Sequence, residues 1–320
     1  MSELMTQPLP WQLGQWQRLV DANRDSRLAH AILLAGPPGV GKRLFTEALI
    51  NYLLCEARHE SRACGACRSC SQLAAGSHPN RMELVPEEGK RDISVDSVRE
   101  MVSRVMVSSH YGQAKVVRVD PADLLNSAST NALLKTLEEP PSATHFLLIS
   151  ERPRLLTPTL RSRTQLLRFP TPPREMALGW LVQNASGADE SALTEAGGAP
   201  LRAMRWHEDG TLERRRNWAA LLEKVASRRQ SPLAAASAVE RSEAVAFFEW
   251  LVDWSGRGLR SAVAGDAGFP ASVYEQLSTD AIEGLRALSR NANAQLSIES
   301  IMMRWLQLAA RGARAMAAAR

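Results

Sequence analysis

A glycine-rich stretch, GPPGVGKR, runs from Gly36 to Arg43 and constrains the fold more than any other part of the sequence. It follows the apolar run Ala31–Ala35 and precedes residues 43–54, whose composition favours a helix. A loop that leaves a strand and opens a helix points backbone N–H groups and the positive end of the helix dipole at an anion. This order favours a phosphate-binding loop over a chance run of glycines, and it predicts a sheet flanked by helices.

The loop fits the pattern G-x-x-x-x-G-K-[ST] at every fixed position except the last. Its candidate phosphate-binding residues are Gly36, Gly39, Gly41 and Lys42, of which Lys42 would contact the β and γ phosphates of a nucleotide. Arg43 replaces the serine or threonine whose hydroxyl group holds Mg²⁺. Because arginine offers no oxygen and adds a positive charge, we expect weak or absent Mg²⁺-dependent ATP binding and no metal-assisted hydrolysis.

The chain also lacks one of the two acidic residues that an ATPase needs for hydrolysis. ATPases with such a loop place a carboxylate for Mg²⁺ and, in many families, a water-activating glutamate at the end of a neighbouring strand. In the segment KVVRVDPADLL these positions are held by Asp120 and by Pro121, which has no carboxylate. Taken alone, Asp120 is interpreted as a turn or helix-capping residue with Pro121 at the first helical position. The hydrolytic machinery therefore lacks a second part, independently of Arg43.

The pattern of apolar residues changes near Phe169. Before it, short apolar runs alternate with helical stretches, which predicts an α/β fold with a parallel sheet. The predicted strands are AILLA (31–35), MELV (82–85), KVVRV (115–119), HFLLI (145–149) and QLLRF (165–169). After PTPP (170–173) no strand pattern returns, and a weaker break lies near residues 206–216. Helical core stripes follow at Phe247, Trp250, Leu251 and Trp254, and at Met302, Trp305, Leu306 and Ala309.

Net charge and hydropathy indicate which partners and which cellular location to expect. The net charge of +5 permits nucleic acid as a partner but does not require it. The sequence has no run of about eighteen apolar residues, and its N-terminus lacks the charged start and apolar stretch of a secretion signal. We therefore expect a globular protein of the cytoplasm that has no membrane partner.

All four cysteines of the chain lie within sixteen residues. Cys55, Cys64, Cys67 and Cys70 form the spacing C-x8-C-x2-C-x2-C. Disulfides are rare in the cytoplasm, whereas Zn²⁺ favours four thiolates in tetrahedral geometry. The cluster predicts one structural Zn²⁺ with no open coordination position, and we interpret the nearby His59 and His78 as surface histidines.

Two further stretches complete a recognisable combination. STNALLKTLEEPP (129–141) is a helix that ends at its proline pair, and HFLLISERPRLLTPTLRSRT (145–164) is a strand leading to an arginine-rich turn. With the loop, and with a cysteine module inserted between the first helix and the second strand, they resemble the bacterial clamp-loader branch of the AAA+ family. The resemblance covers the chain in length and domain order, although its specific motifs all lie before about residue 165.

The resemblance implies a fold of three domains. The first is an AAA+ phosphate-loop domain with a parallel sheet, residues 1–169, which carries the zinc module as an insertion at residues 55–70. A small helical lid domain, residues 170–207, follows it. The last is an all-helical collar domain for oligomerisation, residues 208–320.

The resemblance also implies a function. Some clamp-loader subunits hydrolyse ATP, whereas others share the fold but act as rigid, non-hydrolysing stators, and Arg43 and Pro121 fit a stator. Such a subunit sits with gamma/tau-type and delta-type subunits in a hetero-oligomeric ring, which loads the sliding clamp onto primed DNA during replication. It would be part of the DNA polymerase III holoenzyme, a DNA-directed DNA polymerase and nucleotidyltransferase, without an ATPase activity of its own.

One arginine acquires a role through the resemblance. The family's SRC motif supplies an arginine finger to the ATP of a neighbouring subunit, and it reads Ser162-Arg163-Thr164 in this chain. Arg163 would then stabilise charge on the γ-phosphate in trans. Without the family context Arg163 is interpreted as a surface arginine in a basic turn. Arg202 lies near a second nucleotide-sensing position of the family, and we assign it no role.

Two functions of other kinds remain open from the sequence. The chain could be an active motor ATPase of gamma type, which the intact Lys42 favours and the two missing groups oppose. It could also be a zinc-dependent DNA-binding protein that uses its basic clusters RRR (214–216) and RR (228–229). Clusters of this kind are more often solvated helix faces than DNA contacts.

Overall fold

The protein forms two compact units, Met1–Glu208 and Asp209–Arg320. The computed structural model describes residues 7–90, 92–106, 114–266 and 268–318. The boundary between the units falls inside the break seen in the sequence at residues 206–216. The finer division at residue 169, between a phosphate-loop domain and a lid domain, stays a prediction.

A five-stranded parallel sheet forms the centre of the first unit. Its strands lie in the order β2-β3-β4-β1-β5, so that β1 and β4 are central and β5 is at one edge. Central parallel strands are covered on both faces and therefore read as continuous apolar runs, as AILLA and HFLLI do. Each of the five predicted runs forms a strand, which confirms the α/β prediction. The strands are β1 (Ala31–Ala35), β2 (Arg81–Leu84), β3 (Lys115–Val119), β4 (Thr144–Ser150) and β5 (Gln165–Arg168).

Helices cover both faces of the sheet. On one face, α1 and α2 bury Trp16 and Phe45 against Ile32 and Leu34 of β1. On the other face, the cluster around Leu33 includes residues of α4, α5 and α6. The helices on the two faces are α1 (Leu13–Arg24), α2 (Lys42–Leu54), α3 (Arg68–Ala74), α4 (Val95–Met106), α5 (Ser127–Glu138) and α6 (Pro158–Ser162). The chain thus builds three layers, with the carboxyl ends of the strands along one edge.

Three short helices follow the sheet within the first unit. They are α7 (Arg174–Asn184), α8 (Glu190–Glu195) and α9 (Pro200–Glu208). The turn before α9 contains Gly197 and Gly198, both with positive φ, which other residues adopt only with strain. This turn brings the first residues of α9 onto the glycine-rich loop, because the Leu201 N–H donates to the Gly39 carbonyl at 3.1 Å.

The described residues of the second unit form helices joined by short turns, and they include no strand. Its helices are α10 (Thr211–Ala226), α11 (Pro232–Ala236), α12 (Ala244–Ala264), α13 (Ala271–Ser289) and α14 (Ala294–Ala318). Both predicted apolar stripes face its core, where Phe247, Trp250 and Met302 are almost fully buried and Trp254 and Leu306 are partly buried. Trp305 satisfies its indole by donating Nε1–H to the Leu222 carbonyl at 2.8 Å. Among the described residues of either unit, no helix has the length and apolarity that crossing a bilayer requires.

Candidate functional site

The glycine-rich loop lies between β1 and α2, as the sequence predicts. Its glycines are required by conformation and by space. Gly39 and Gly41 have φ values of 77° and 94°. A Cβ atom on Gly36 would lie 2.0 Å from the Phe169 carbonyl oxygen, and one on Gly39 would lie 2.4 Å from the Cβ atom of Arg202. The loop is therefore packed on both sides, by the end of β5 and by the start of α9.

Lys42 is buried at the first position of α2, with 4% of its surface exposed. Its ammonium group donates to the carbonyls of Gly36 and Pro37 at 2.7 and 2.8 Å. Burial lowers the pKa of Lys42 to about 8. The lysine is folded onto the loop's own backbone, so a phosphate that enters would have to compete with two carbonyl oxygens.

Replacing Lys42 by methionine is expected to remove a pH dependence of stability, although it also removes two hydrogen bonds to loop carbonyls. The pKa of Lys42 is about 10.5 in the unfolded chain and about 8 in the folded protein. Between these two pH values the unfolded state binds more protons than the folded state, so the free energy of unfolding rises with pH. Below pH 8 the buried charge costs up to about 3 kcal/mol. Thermal denaturation at pH 7 and pH 10 checks this. The melting temperature of Lys42→Met minus that of the wild type should be more positive at pH 7 than at pH 10, and equal differences would contradict the assignment.

Arg43 and Asp120 form an ion pair where a magnesium ion would be held. The Arg43 Nε–H donates to Asp120 Oδ2 at 2.8 Å, and this hydrogen bond raises the pKa of Arg43. The Asp120 side chain is 6% exposed, whereas that of Arg43 is 60% exposed. Asp120 Oδ1 is buried without a hydrogen-bond partner among the described residues. The arginine that replaces the metal-binding hydroxyl group thus also neutralises the carboxylate that would bind the metal.

Asp120 lies in a turn, as predicted, but the alternative interpretation as a helix-capping residue is wrong. Its carboxylate is engaged by Arg43, which lies 77 positions away in the chain. Pro121 is not at a first helical position either, because it immediately precedes the 3₁₀ turn Ala122–Leu124. The sequence showed both residues of the pair, but only the packing of α2 against β3 shows that they meet.

Asp123 is a residue that the sequence analysis missed. Its Oδ1 accepts a hydrogen bond from Ser150 Oγ at 2.5 Å, and its Oδ2 accepts one from the Glu151 N–H at 2.6 Å. It therefore fixes the carboxyl end of β4 beside the loop. The only signal in the sequence was its place in the segment DPAD after β3.

A cavity of about 350 Å³ opens at the loop. Ligand pockets span about 300–1,000 Å³, so this one is small. Four of its lining residues are cationic and one, Glu151, is anionic. The cationic residues are Lys42, Arg43, Arg202 and Arg205. The lining favours an anion, yet the space and the position of Lys42 restrict what enters.

Arg202 is held by Ala196, which follows α8, and by Trp206 within α9. Its Nε–H donates to the Ala196 carbonyl at 3.0 Å, and its guanidinium carbon lies 5.0 Å from the centre of the Trp206 ring. Its backbone and Cβ are the atoms that approach Gly39. Arg202 therefore supports the loop as a packing residue, and any role as a nucleotide sensor stays unassigned.

The N-terminal segment closes another side of the loop. Trp11 Nε1 and Gln12 Nε2 donate to the Val40 carbonyl at 2.9 and 3.0 Å. A Cβ atom on Gly41 would meet Leu9 Cδ1 at 2.4 Å. The sequence analysis did not assign these residues to the site, because no motif links them to the loop.

Arg163 lies at the end of α6, outside the lining of the loop cavity. Its Nε–H donates to Glu138 Oε1 at 2.5 Å, and its Nη1 donates to the Thr159 carbonyl at 3.2 Å. The side chains of Arg163 and Glu138 are 35% and 47% exposed. The residue is thus held at the surface between α5 and α6 by an ion pair that solvent reaches.

The four cysteines come together as a candidate metal centre. All four sulfur atoms lie within 4.8 Å of one another. The Sγ of Cys55 lies 3.5 Å from that of Cys64 and 3.9 Å from that of Cys67, and the Cys64 and Cys70 sulfurs are 3.9 Å apart. Four sulfurs around a Zn²⁺ at about 2.3 Å would be about 3.8 Å apart. The cluster has the size and ligand set to hold a metal ion.

Backbone N–H groups support the sulfur atoms. The N–H of Cys64 donates to the sulfur of Cys55 at 3.2 Å, and that of Cys67 donates to the sulfur of Cys64 at 3.3 Å. Hydrogen bonds from Ala66 and Cys67 lower the pKa of Cys64 to about 6, whereas burial raises the pKa values of Cys55 and Cys70. Cys64 is therefore the thiol most ready to bind a metal as thiolate.

One of the two nearby histidines differs from its interpretation. His59 is exposed, as expected, but His78 is buried. Its Nδ1 accepts from the Asn80 N–H at 3.2 Å, so its Nε2–H donates to Ser69 Oγ, also at 3.2 Å. The Ser69 hydroxyl group in turn donates a hydrogen bond to Glu56 Oε1 at 3.1 Å. His78 thus ties the cysteine module to the start of β2 instead of facing solvent.

The basic clusters of the second unit are largely neutralised. Arg214 pairs with Glu243, and Arg215 is buried and pairs with Asp253. Arg229 pairs with Glu223 at 2.9 Å. These pairs support the interpretation of the clusters as parts of the helical unit over that of a DNA-contacting stripe.

Comparison with known proteins adds independent findings. A family model described as "DNA polymerase III, delta subunit" matches residues 11–173. The DNA polymerase III subunit delta' of Pseudomonas aeruginosa is 35% identical over 93% of this chain and 97% of its own length. That of Escherichia coli K12 is 39% identical over 61% of this chain and 59% of its own. A DNA polymerase III gamma subunit-related protein of Thermotoga maritima aligns in structure with a TM-score of 0.48 and 18% identity, over 93% of this chain and 99% of its own.

Proposed function

The chain belongs to the family of DNA polymerase III delta' subunits, and from this premise we propose that it is a non-hydrolysing stator of a clamp loader. In that role it helps to load the sliding clamp onto primed DNA during replication in the cytoplasm. Its partners are gamma/tau-type and delta-type subunits in a hetero-oligomeric ring, and it meets the clamp and the DNA through that complex. Residues 1–169, 170–207 and 208–320 serve as phosphate-loop, lid and collar domains.

The ion pair between Arg43 and Asp120 carries the non-hydrolysing part of the proposal. Phosphoryl transfer needs Mg²⁺ to bridge the β and γ phosphates, and the metal needs a hydroxyl group from the loop and a carboxylate from the neighbouring strand. Arg43 stands in place of the hydroxyl residue, and it pairs with the carboxylate of Asp120 at 2.8 Å. Pro121 supplies no base for the attacking water. A motor ATPase of gamma type would need all three groups.

We assign Arg163 as the arginine finger offered to a neighbouring ATPase subunit. Its position at the surface supports this role, since a finger must leave its own subunit to reach another. Solvent reaches both partners of the pair with Glu138, and such surface pairs contribute about 1 kcal/mol or less. The guanidinium group can therefore exchange Glu138 for a phosphate at little cost.

We assign a structural Zn²⁺ to Cys55, Cys64, Cys67 and Cys70. Sulfur separations of 3.5 to 3.9 Å support it, because they are close to the edge of a ZnS₄ tetrahedron. Four thiolates fill the coordination sphere, so bound Zn²⁺ would pin the module and leave no position for a reacting water.

ATPase measurements on the purified chain test the stator proposal. We expect no phosphate release above background from the wild type, and none from Arg43→Thr, because the water-activating carboxylate would still be missing. Lys42→Ala is the control for any residual signal. Turnover in the wild type that Lys42→Ala abolishes would show that the chain is a motor subunit. Mass measurement of the chain mixed with gamma-type and delta-type subunits tests the partners, and failure to form a complex would contradict the ring.

A further inference from the structure

A groove of about 740 Å³ lies on the first unit at the β5 edge of the sheet. Its floor includes Leu166 and Arg168 of β5, which pair in register with Leu33 and Ala35 of β1. One wall is formed by Pro158, Arg161 and Ser162 of α6, together with the preceding residues Pro153 and Arg154. We call this feature the edge groove. It shares no lining residue with the loop cavity or the cysteine cluster, although Gly36 and Pro37 at the start of the glycine-rich loop form its far end. Its lining does not include Arg163, and the proposed stator function assigns no role to it.

The edge groove is a part of the parallel sheet that lacks its outer layer. Parallel sheets are normally covered on both faces. Leu167 of β5 is 8% exposed and belongs to the core cluster with α1 and α2. Its neighbour Leu166 points to the opposite face and is 47% exposed, beside the short α6 of five residues. Leu155, beside the wall, is 67% exposed. Because this part of the sheet is not covered, it presents an apolar surface that a second molecule can bury.

The charges at the edge groove are of one sign. Arg154, Arg161 and Arg168 are exposed and line it, and no acidic residue does. Within residues 7–90, 92–106, 114–266 and 268–318, no carboxylate lies within ion-pairing distance of these three guanidinium groups. Elsewhere on this unit exposed arginines such as Arg99 and Arg174 have acidic partners. The occupant that complements the edge groove is therefore both acidic and apolar.

We propose that the edge groove is a docking surface for an extended acidic segment of a partner protein, one that carries apolar side chains between its carboxylates. The apolar side chains would cover Leu166, and the carboxylates would pair with Arg154, Arg161 and Arg168. Among the described residues β5 pairs with β1 alone and is the last strand in the sheet order, so its outer edge suits a segment in strand conformation. Single-stranded nucleic acid fits less well, because it needs exposed aromatic rings for stacking, and the only aromatic residue in the lining, Phe169, is 2% exposed.

Binding of a defined peptide to the full chain tests the proposal. The probe is a fluorescein-labelled ten-residue peptide of alternating aspartate and leucine, followed by fluorescence anisotropy. We expect saturable binding with a Kd of about 100 μM or tighter, which weakens as salt screens the arginines. Arg161→Glu and, separately, Leu166→Asp should each weaken binding about tenfold or more. Both side chains are exposed, and circular dichroism verifies that the variants fold.

Controls distinguish the edge groove from general attraction to a basic protein. Arg104→Glu changes the charge equally at an exposed arginine on α4, outside the groove, and should leave the Kd unchanged. A peptide with lysine in place of aspartate should not bind. The proposal is overturned if the aspartate–leucine peptide does not bind, if Arg104→Glu weakens it as much as Arg161→Glu does, or if oligo-dT binds instead and depends on Arg161.

Discussion

Replacing Arg163 by alanine is expected to lower ATP hydrolysis about 10³-fold or more at the one neighbouring site that it serves in an assembled clamp loader. The planar guanidinium group stabilises charge on the γ-phosphate in the transition state, and nothing in the alanine variant replaces it. The chain itself should lose almost nothing. Its pair with Glu138 is exposed, so the free energy of unfolding should fall by about 1 kcal/mol or less.

Reconstituted loaders measure this effect. In rings built with Arg163→Ala, assembly with gamma-type and delta-type subunits should be unchanged, while DNA- and clamp-stimulated hydrolysis falls. Other sites keep turning over, so clamp loading should fall more than total ATPase. Arg163→Lys should rescue poorly, because a point charge cannot reproduce the two-pronged contact.

Two controls separate a finger from a surface arginine. Arg174→Ala removes another exposed arginine that pairs with a glutamate, Glu190, and should not change hydrolysis. Glu138→Gln removes the partner of Arg163 but leaves the guanidinium group, so hydrolysis should stay at the wild-type rate or rise. Wild-type hydrolysis and loading by rings that carry Arg163→Ala would mean that the role in trans must be withdrawn.

Loss of one cysteine is expected to release the metal and unfold the module around it. The purified, reduced wild type should contain one Zn²⁺ per chain, and Cys67→Ser should lower its zinc affinity about 100-fold or more, since removing a ligand costs at least as much as removing a ligand's supporting residue. Zinc binding supplies about 10–16 kcal/mol to folding in small zinc modules. Elemental analysis and hydrogen exchange measure the two effects.

The unfolding should remain local. Cys55, Ala63 and Cys70 form a small apolar cluster of their own, apart from the two clusters on the faces of the sheet. Amides between residues 55 and 80 should therefore exchange faster in Cys67→Ser, while β1, β3 and β4 keep their protection. His59→Ala, which changes an exposed residue of the same module, should retain the metal. Freshly purified wild type without metal, or global unfolding of the variant, would contradict the assignment.

Hydrophobic periodicity carried most of the fold prediction. The five apolar runs became the five strands, and the loop at Gly36 took its place between β1 and α2. These features follow from local rules, since short apolar runs, glycine conformations and cysteine spacing act over a few residues. The cysteine spacing likewise predicted a cluster that the structure brings within 4.8 Å. The prediction failed at His78 because its burial depends on Ser69 and Asn80 together, not on its neighbours alone.

The sequence by itself thus determined the element types, the parallel sheet, the loop and the four thiols, and it showed that a metal-binding hydroxyl group and a catalytic carboxylate are missing. Only the tertiary structure decided that Arg43 reaches Asp120, that α9 packs on Gly39, and that Asp123 holds the end of β4. It alone shows an uncovered face of β5 beside three arginines that have no acidic partner within the described part of the chain. The physical reason is distance along the chain. Contacts between residues tens of positions apart depend on how helices and strands pack, and no local propensity encodes which side chain will meet which.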